Sequence, residues 1–148
     1  MVSDVQSPPR VRQIGKPRVK GLIGGLILGL FVSGWVHAAR LDVTEEENGK
    51  DLLLSRGDLL VVHLPANRTT GFGWQPTFSK EGVLRPEGGA FYLPTRTSAH
   101  LVGAGGTESW IFHAQRAGST TLTLGYVRPW EKGKSPEKTI SWPVTVRP

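Results

Sequence analysis

Two neighbouring stretches decide the fold of this chain, Thr107-Glu-Ser-Trp-Ile-Phe-His-Ala-Gln115 and Thr120-Thr-Leu-Thr-Leu-Gly-Tyr-Val127. In the first stretch, aromatic side chains alternate with Ser, Ile and His. In the second, Leu122, Leu124 and Tyr126 alternate with Thr and Gly. Because successive side chains of a strand point to opposite faces, this period of two predicts half-buried strands. Together the two stretches predict two sheets with aromatic inner faces.

The same pattern extends over the chain from Ala39 onwards. Apolar residues alternate or come in short runs, Gly or Pro interrupts them about every ten residues, and no convincing helix pattern appears. We therefore expect an all-β sandwich of about seven to eight strands. The predicted strands are Arg40–Val43, Asp51–Leu54, Leu59–Leu64, Phe72–Phe78, Ala90–Leu93, Thr107–Gln115, Thr120–Val127 and Thr139–Val146.

Three connections between these strands have turn-forming composition. Ser55–Asp58 and Arg116–Ser119 each contain a Gly and lie between strand patterns, so both are predicted to be tight hairpins. The segment Glu81–Ala90 contains Gly and Pro and is predicted to be a loop.

Composition limits the function. At 148 residues the chain fits one domain, and without cysteine it has no disulfide, thiolate metal site or cysteine nucleophile. The net charge of +6 lies mostly in residues 1–38, which carry five Lys and Arg against one Asp. Residues 39–148 carry 13 basic and 11 acidic residues, so no basic face for nucleic acid is expected.

Residues 1–38 are typical of an export signal. A polar, basic start precedes an apolar run at residues 21–36. These 16 residues would span only about 24 Å as a helix, against roughly 30 Å of bilayer hydrocarbon. We expect cleavage after Ala38, which leaves residues 39–148 as a β-sandwich domain in the periplasm or secreted. The alternative is an uncleaved membrane anchor at residues 21–36, with the domain again outside the cytoplasm.

The residues that enzymes and metal sites need are not grouped in the sequence. The histidines His37, His63, His100 and His113 form no helical metal pair, and the strand histidines are more typical of packed or solvent-facing side chains. The Gly-rich segment at residues 103–107 lacks the Lys and the following helix of a phosphate site. We expect no enzymatic activity, no cofactor and no metal.

Three loops have more distinctive sequences than chain reversal requires. They contain, in order, Asn67-Arg68-Thr69-Thr70-Gly71-Phe72; His100-Leu-Val-Gly103-Ala104-Gly105-Gly106; and Arg128-Pro129-Trp130. From its residues alone, the first is either a plain hairpin connection or a loop that presents its backbone and hydroxyls to a partner. Trp130 is either a lid on the core or an exposed anchor for binding.

Taken in this order, the motifs Asn-x-Thr-Thr-Gly-Phe, Gly-x-Gly-Gly and Arg-Pro-Trp resemble those of the chagasin-like inhibitors of papain-family cysteine proteases. The resemblance extends over residues 41–146. It implies an immunoglobulin-like sandwich whose three loops form a wedge at one end. In the family the Thr-Thr-Gly loop enters the protease active site and the other two loops flank it. A monomer that binds its protease 1:1, tightly and reversibly, is therefore expected.

Carried over residue by residue, the resemblance assigns protease binding to Asn67, Arg68, Thr69, Thr70, Gly71, Phe72, Gly103, Ala104, Gly105, Gly106, Arg128, Pro129 and Trp130. One position departs from the family pattern, which usually has Pro where this chain has Arg68. Without Pro, ordering the loop costs about 0.4 to 1 kcal/mol more at a Pro-compatible site. Arg68 offers a charged contact in its place.

Two other functions are compatible with an exported β-sandwich. A carbohydrate-binding or adhesion module would show a flat row of Trp and Tyr along one sheet face, whereas an inhibitor would show three loops converging at one end. An exported hydrolase would need a polar pocket with acids or histidines, which the sequence does not assemble.

Overall fold

The computed structural model describes residues 38–95 and 104–148. Residues 1–37 of the predicted export signal, His100 and Gly103 lie outside these residues. The described strands are β1 (Arg40–Val43), β2 (Leu52–Ser55), β3 (Leu59–Ala66), β4 (Gly73–Phe78), β5 (Leu84–Pro86), β6 (Phe91–Pro94), β7 (Gly106–Ala114), β8 (Gly118–Val127) and β9 (Lys138–Arg147). Single 3-10 turns at Glu45–Glu47 and Arg68–Thr70 are the helical elements of the described residues.

The strands form two sheets, as predicted. One sheet has the order β1-β3-β7-β5, with β6 also paired to β7, and the other has the order β2-β9-β8-β4. Pairing is antiparallel except for β1 with β3 and β2 with β9. The all-β sandwich is therefore confirmed. Within the described part of the chain, no helix is long and apolar enough to cross a membrane.

Buried aromatic and branched side chains from both sheets form one core between them. Trp74 and Trp142 come from one sheet and Phe112 from the other, and all three are almost completely buried. Phe78 meets Phe112 edge to face across the sheets, with ring centroids 5.9 Å apart. The alternation along β7 and β8 follows the predicted period of two. These contacts hold the sheets face to face without disulfides.

The segment Glu81–Ala90 is not only a loop, because it contains β5. This strand pairs with the end of β7, with Leu84 opposite Ala114. Val83 and Leu84 are buried. A strand of three residues that includes Pro86 is too short for a period of two to be read from the sequence.

Neither of the two connections predicted to be hairpins joins paired strands of one sheet. Ser55–Asp58 leads from β2 in one sheet to β3 in the other, and Arg116–Ser119 leads from β7 to β8, again between sheets. The turn chemistry itself is present, since Asp58 N–H donates to the Ser55 carbonyl over 3.0 Å and Gly57 has φ of 99°. Local composition predicts that the chain turns, but the core decides which strands then pair.

Two adjacent leucines of β2 test this description of the core. Leu54 is 3% exposed and Leu53 is 51% exposed. Leu54→Ala should lower the free energy of unfolding by about 2–5 kcal/mol, because it leaves a cavity between the sheets. Leu53→Ala should change it by less than about 0.5 kcal/mol. Urea denaturation followed by tryptophan fluorescence measures both, and equal losses would contradict the assigned faces of β2.

Candidate functional site

The central loop (residues 67–72), the third loop (residues 128–137) and the two described flanks of the second loop (residues 95 and 104–105 of 95–105) lie at the same end of the sandwich. The register places Ala66, at the end of β3, opposite Gly106 at the start of β7. It likewise places Gly73, at the start of β4, opposite Val127 at the end of β8. Since these pairs are antiparallel, the central loop lies beside the start of β7 and the end of β8.

The central loop is held by its own hydrogen bonds. The Asn67 side-chain oxygen accepts from the Thr69 N–H over 3.2 Å and from the Thr69 hydroxyl over 2.6 Å. The Thr70 hydroxyl donates to the Asn67 carbonyl over 2.6 Å. Gly71 ends the 3-10 turn at φ of 79°, a conformation that favours glycine. The loop connects the two sheets, so the interpretation as a plain hairpin is wrong.

The third loop packs directly on the central loop. The Trp130 ring lies against Gly71, where an added Cβ would sit 2.2 Å from Trp130 Cη2. Arg128 Nε donates to the Thr70 carbonyl over 3.0 Å, and the Arg128 guanidinium stacks over the Phe72 ring at 4.3 Å. Trp130 remains 66% exposed, so it is not a lid on the core. Residues of the Arg-Pro-Trp motif thus pack on, and hydrogen-bond to, residues of the Thr-Thr-Gly motif.

Arg128 is itself held by Glu131, a residue that was not predicted to belong to the site. Arg128 Nη1 lies 3.4 Å from Glu131 Oε1, and Lys134 Nζ lies 3.2 Å from the same oxygen. The hydrogen bond from Lys134, followed by its charge and the hydrogen bond from Arg128, holds the pKa of Glu131 below its usual range. The carboxylate therefore stays ionised at neutral pH, and this network weakens only as the pH falls through that lowered pKa.

Stacked aromatic rings form the base of the central loop. The Tyr126 ring lies 5.1 Å from the Phe72 ring and 4.9 Å from the Trp74 ring. The Tyr126 hydroxyl accepts the Asn67 N–H over 2.9 Å, so the start of the loop is tied to β8. Trp74 Nε1 donates to the Pro65 carbonyl over 3.0 Å, which joins β4 to β3 directly below the loop. The inward period of β8 pointed to Tyr126 as a core residue, but not to this hydrogen bond.

A buried carboxylate, Glu108, lies beside the loop and was not predicted. It is 3% exposed, and its Oε1 accepts from the Trp74 N–H over 3.1 Å and from Trp110 Nε1 over 3.2 Å. The sequence did offer one indication of this buried site, because Glu108 is an acidic residue at an inward position in the alternating pattern of β7. Glu108 lies along a groove of about 440 Å³ whose other lining residues include Arg68 and Pro129. Arg68 turns back over this groove towards Glu108.

Gly105 in the second loop and Gly106, the first residue of β7, allow close packing. A Cβ at Gly106 would lie 2.5 Å from the Leu93 carbonyl and 2.7 Å from the Tyr92 ring. A Cβ at Gly105 would lie 3.4 Å from the Ala66 carbonyl. Ala104 is half-buried beside them. These residues bring β6, β7 and the end of β3 together next to the central loop.

Ser109, His63 and Asp42 form a polar line across three strands. His63 Nδ1 lies 2.8 Å from Ser109 Oγ, and His63 Nε2 lies 2.9 Å from Asp42 Oδ1. Ser109 sits mid-strand between β3 and β6, so its backbone belongs to a sheet ladder and not to a loop that could bind an oxyanion. Arg40 pairs with Asp42. The line is therefore a cross-strand network, and the described residues contain no cluster of three or more possible metal ligands.

Comparison with known proteins gives consistent results. A family model for chagasin family peptidase inhibitors matches residues 54–144. Amoebiasin-2 of Entamoeba histolytica is 30% identical over 111 residues, which cover 75% of this chain and 89% of that protein. Chagasin of Trypanosoma cruzi is 35% identical over 91 residues, which cover 60% of this chain and 81% of chagasin. The crystal structure of a cysteine protease inhibitor from Entamoeba histolytica matches with a TM-score of 0.66 at 29% identity, covering 75% of this chain and 98% of that one.

The contact between Trp130 and Gly71 can be tested with two glycines. Gly71 and Gly133 have φ of 79° and 82°, but a Cβ at Gly133 would meet nothing within 4 Å. Both Ala variants carry the backbone strain of about 1 kcal/mol or more. Gly71→Ala should also displace the Trp130 ring and shift its indole N–H resonance strongly in NMR spectra, whereas Gly133→Ala should not. Similar shifts in both variants would contradict the ring position.

Proposed function

This chain belongs to the chagasin family of peptidase inhibitors, and we propose that it blocks papain-like cysteine proteases by inserting its central loop into their active-site cleft. It is an inhibitor and not an enzyme. The second and third loops contact the walls of the cleft on either side. Binding is reversible, involves one inhibitor and one protease, and needs no cofactor.

The observation that carries this proposal is the packing of Trp130 and Arg128 on the central loop. Gly71, Thr70 and Phe72 are each contacted by the third loop. Ordering a mobile side chain at an interface costs about 0.5 to 1.5 kcal/mol, and a loop that is already packed avoids much of this cost. The affinity of the complex then benefits from contacts that the free inhibitor has prepared.

In this proposal the central loop enters the cleft without being cleaved, and its conformation supplies the reason. The bonds from Asn67 and Thr70 hold residues 67–71 in a turn, whereas a scissile peptide must lie with its carbonyl directed at the oxyanion donors. The Thr70 carbonyl already accepts from Arg128. The loop therefore occupies the cleft near the catalytic Cys and His of the protease without presenting a peptide in the reactive pose.

Trp130 is the anchor of this interface in our proposal. Its ring is exposed on one face and supported on the other by Gly71. A large, rigid side chain of this kind gives much contact area at little entropy cost. We propose that it packs on an aromatic or apolar wall beside the cleft.

The distribution of aromatic residues does not favour a carbohydrate-binding module. Such a module needs a row of exposed Trp and Tyr on one sheet face. Among the described residues, Trp74, Trp110 and Trp142 are buried and only Trp130 is an exposed Trp, at the end where the loops meet.

We also propose that the protein acts outside the cytoplasm. The support is the sequence of residues 1–38, with its basic start and apolar run. The target is then a protease of the periplasm, the surroundings or another cell.

Inhibition of papain tests both the proposed function and the contribution of Trp130 to binding. The purified protein should inhibit papain in a titration, and Trp130→Ala should weaken binding by about 2 kcal/mol, or roughly 30-fold in Ki. Leu53→Ala removes an exposed apolar side chain from β2, away from the loops, and should leave Ki unchanged. A folded wild-type protein that fails to inhibit at micromolar concentration would overturn the proposal, and an unchanged Ki for Trp130→Ala would remove Trp130 from the interface.

Export can be tested by expressing the whole chain in a bacterial host and sequencing the N-terminus of the protein recovered. A soluble periplasmic or secreted protein that begins at Ala39 is the expected result. Full-length protein in the membrane fraction would favour the anchor at residues 21–36. Full-length protein in the cytoplasm would contradict export.

A further inference from the structure

Arg68 does not extend into solvent from the central loop. Its Nε lies 3.9 Å from Glu108 Oε2, and its guanidinium carbon lies 4.8 Å from the centre of the Tyr92 ring. Its Nη2 also approaches the Ala90 carbonyl at 3.5 Å. The side chain therefore reaches from the loop to residues of β6, β7 and the segment before β6.

Glu108 is the acidic partner of Arg68 in this contact. The carboxylate is buried, and the two N–H donors from Trp74 and Trp110 both bind Oε1. Oε2 faces Arg68. A buried charge without a partner is unfavourable, so the Arg68 guanidinium offsets part of the cost of placing Glu108 in the protein.

Tyr92 connects the same contact to the second loop. One side of the Arg68 guanidinium stacks on the Tyr92 ring, and that ring also packs closely against Gly106 at the start of β7. A movement of Arg68 would therefore change contacts of the central loop and of the strand that follows the second loop.

We propose that Arg68 is a positioning residue for the central loop, acting through Glu108 and Tyr92 and not through contact with the protease. This inference rests on the proposed inhibitory function. The guanidinium ties the first residue of the 3-10 turn to the sheet and so restricts the conformations of Thr69, Thr70 and Gly71. It adds to the support that Arg128 and Trp130 give from the other side.

The backbone at residue 68 is compatible with proline, which could restrict the loop in place of the Arg68 side-chain contacts. Arg68 is the first residue of the 3-10 turn, and its N–H donates no hydrogen bond to the described residues. Asn67 before it is extended, with φ of −131° and ψ of 97°. Proline tolerates such a first position, because it needs no N–H there and its φ suits a turn. The Pro ring and the Arg68 side chain are thus two ways of restricting the same loop.

The first test uses the free protein, without any protease. Arg68→Ala should increase the hydrogen exchange rate of the Gly71 amide, which donates to the Arg68 carbonyl, by roughly fivefold, given the modest strength of an ion pair and a cation–π contact. Arg68→Pro should restore slow exchange. An unchanged exchange rate of the Gly71 amide in Arg68→Ala would overturn the proposal, whether or not the protein inhibits a protease.

The second test is a double-mutant cycle on papain inhibition. Glu108→Gln keeps an oxygen for the Trp74 and Trp110 donors but removes the charge that Arg68 faces. Arg68→Ala and Glu108→Gln should each raise Ki by roughly fivefold. The Ki of the double variant should not exceed the higher of the two single-variant values. Arg68→Pro should recover most of the inhibition.

The cycle also separates this inference from direct contact with the protease. If Arg68 bound the protease itself, Arg68→Ala would raise Ki equally in the Glu108→Gln background, and Arg68→Pro would not recover inhibition. Either outcome overturns the positioning role while the inhibitory function stands. A wild-type protein that does not inhibit overturns the function, and the exchange measurement still decides the role of Arg68.

Discussion

The hydrogen bond from the Trp74 indole to the Pro65 carbonyl is the constraint on which the arrangement of the central loop depends. The central loop leaves one sheet at the end of β3 and enters the other at β4, so its two ends could separate if the sheets shifted. Trp74 is buried between the sheets and bonds across this gap. Because the same residue also packs on Tyr126, the span that the loop must bridge is set by the core itself.

The loop is then restricted from three directions. Tyr126 holds its start from below, Arg128 and Trp130 pack on its middle and end, and Arg68 ties its first turn to β6 and β7. These contacts are mostly aromatic or involve guanidinium groups, which combine a flat contact surface with directed hydrogen bonds. A small domain without disulfides thereby holds its central loop in one packed conformation while leaving the Trp130 ring largely exposed.

Much of this arrangement could be predicted from the sequence, and the exceptions have physical reasons. Alternating patterns and short apolar runs, interrupted by Gly and Pro, identified eight strands within one or two residues of their observed bounds. They missed β5, which is too short for a period, and they assigned the turns at Gly57 and Gly118 to hairpins because pairing depends on distant residues. The motifs located the three loops, but the roles of Glu108 and Tyr126 depend on contacts between strands that are far apart in sequence.

The hydrogen bond between Trp74 N–H and Glu108 also bears on the solubility of the protein. β4 is the last strand of its sheet, and an open strand edge invites pairing with a second chain and aggregation. Trp74 directs its N–H away from β8 to Glu108, so by alternation Pro76 faces the same open edge and has no N–H to offer. Of the three positions of β4 that face this edge, residues 74, 76 and 78, the first two therefore offer no free N–H to a second chain, which disfavours pairing of the protein with itself beside the central loop.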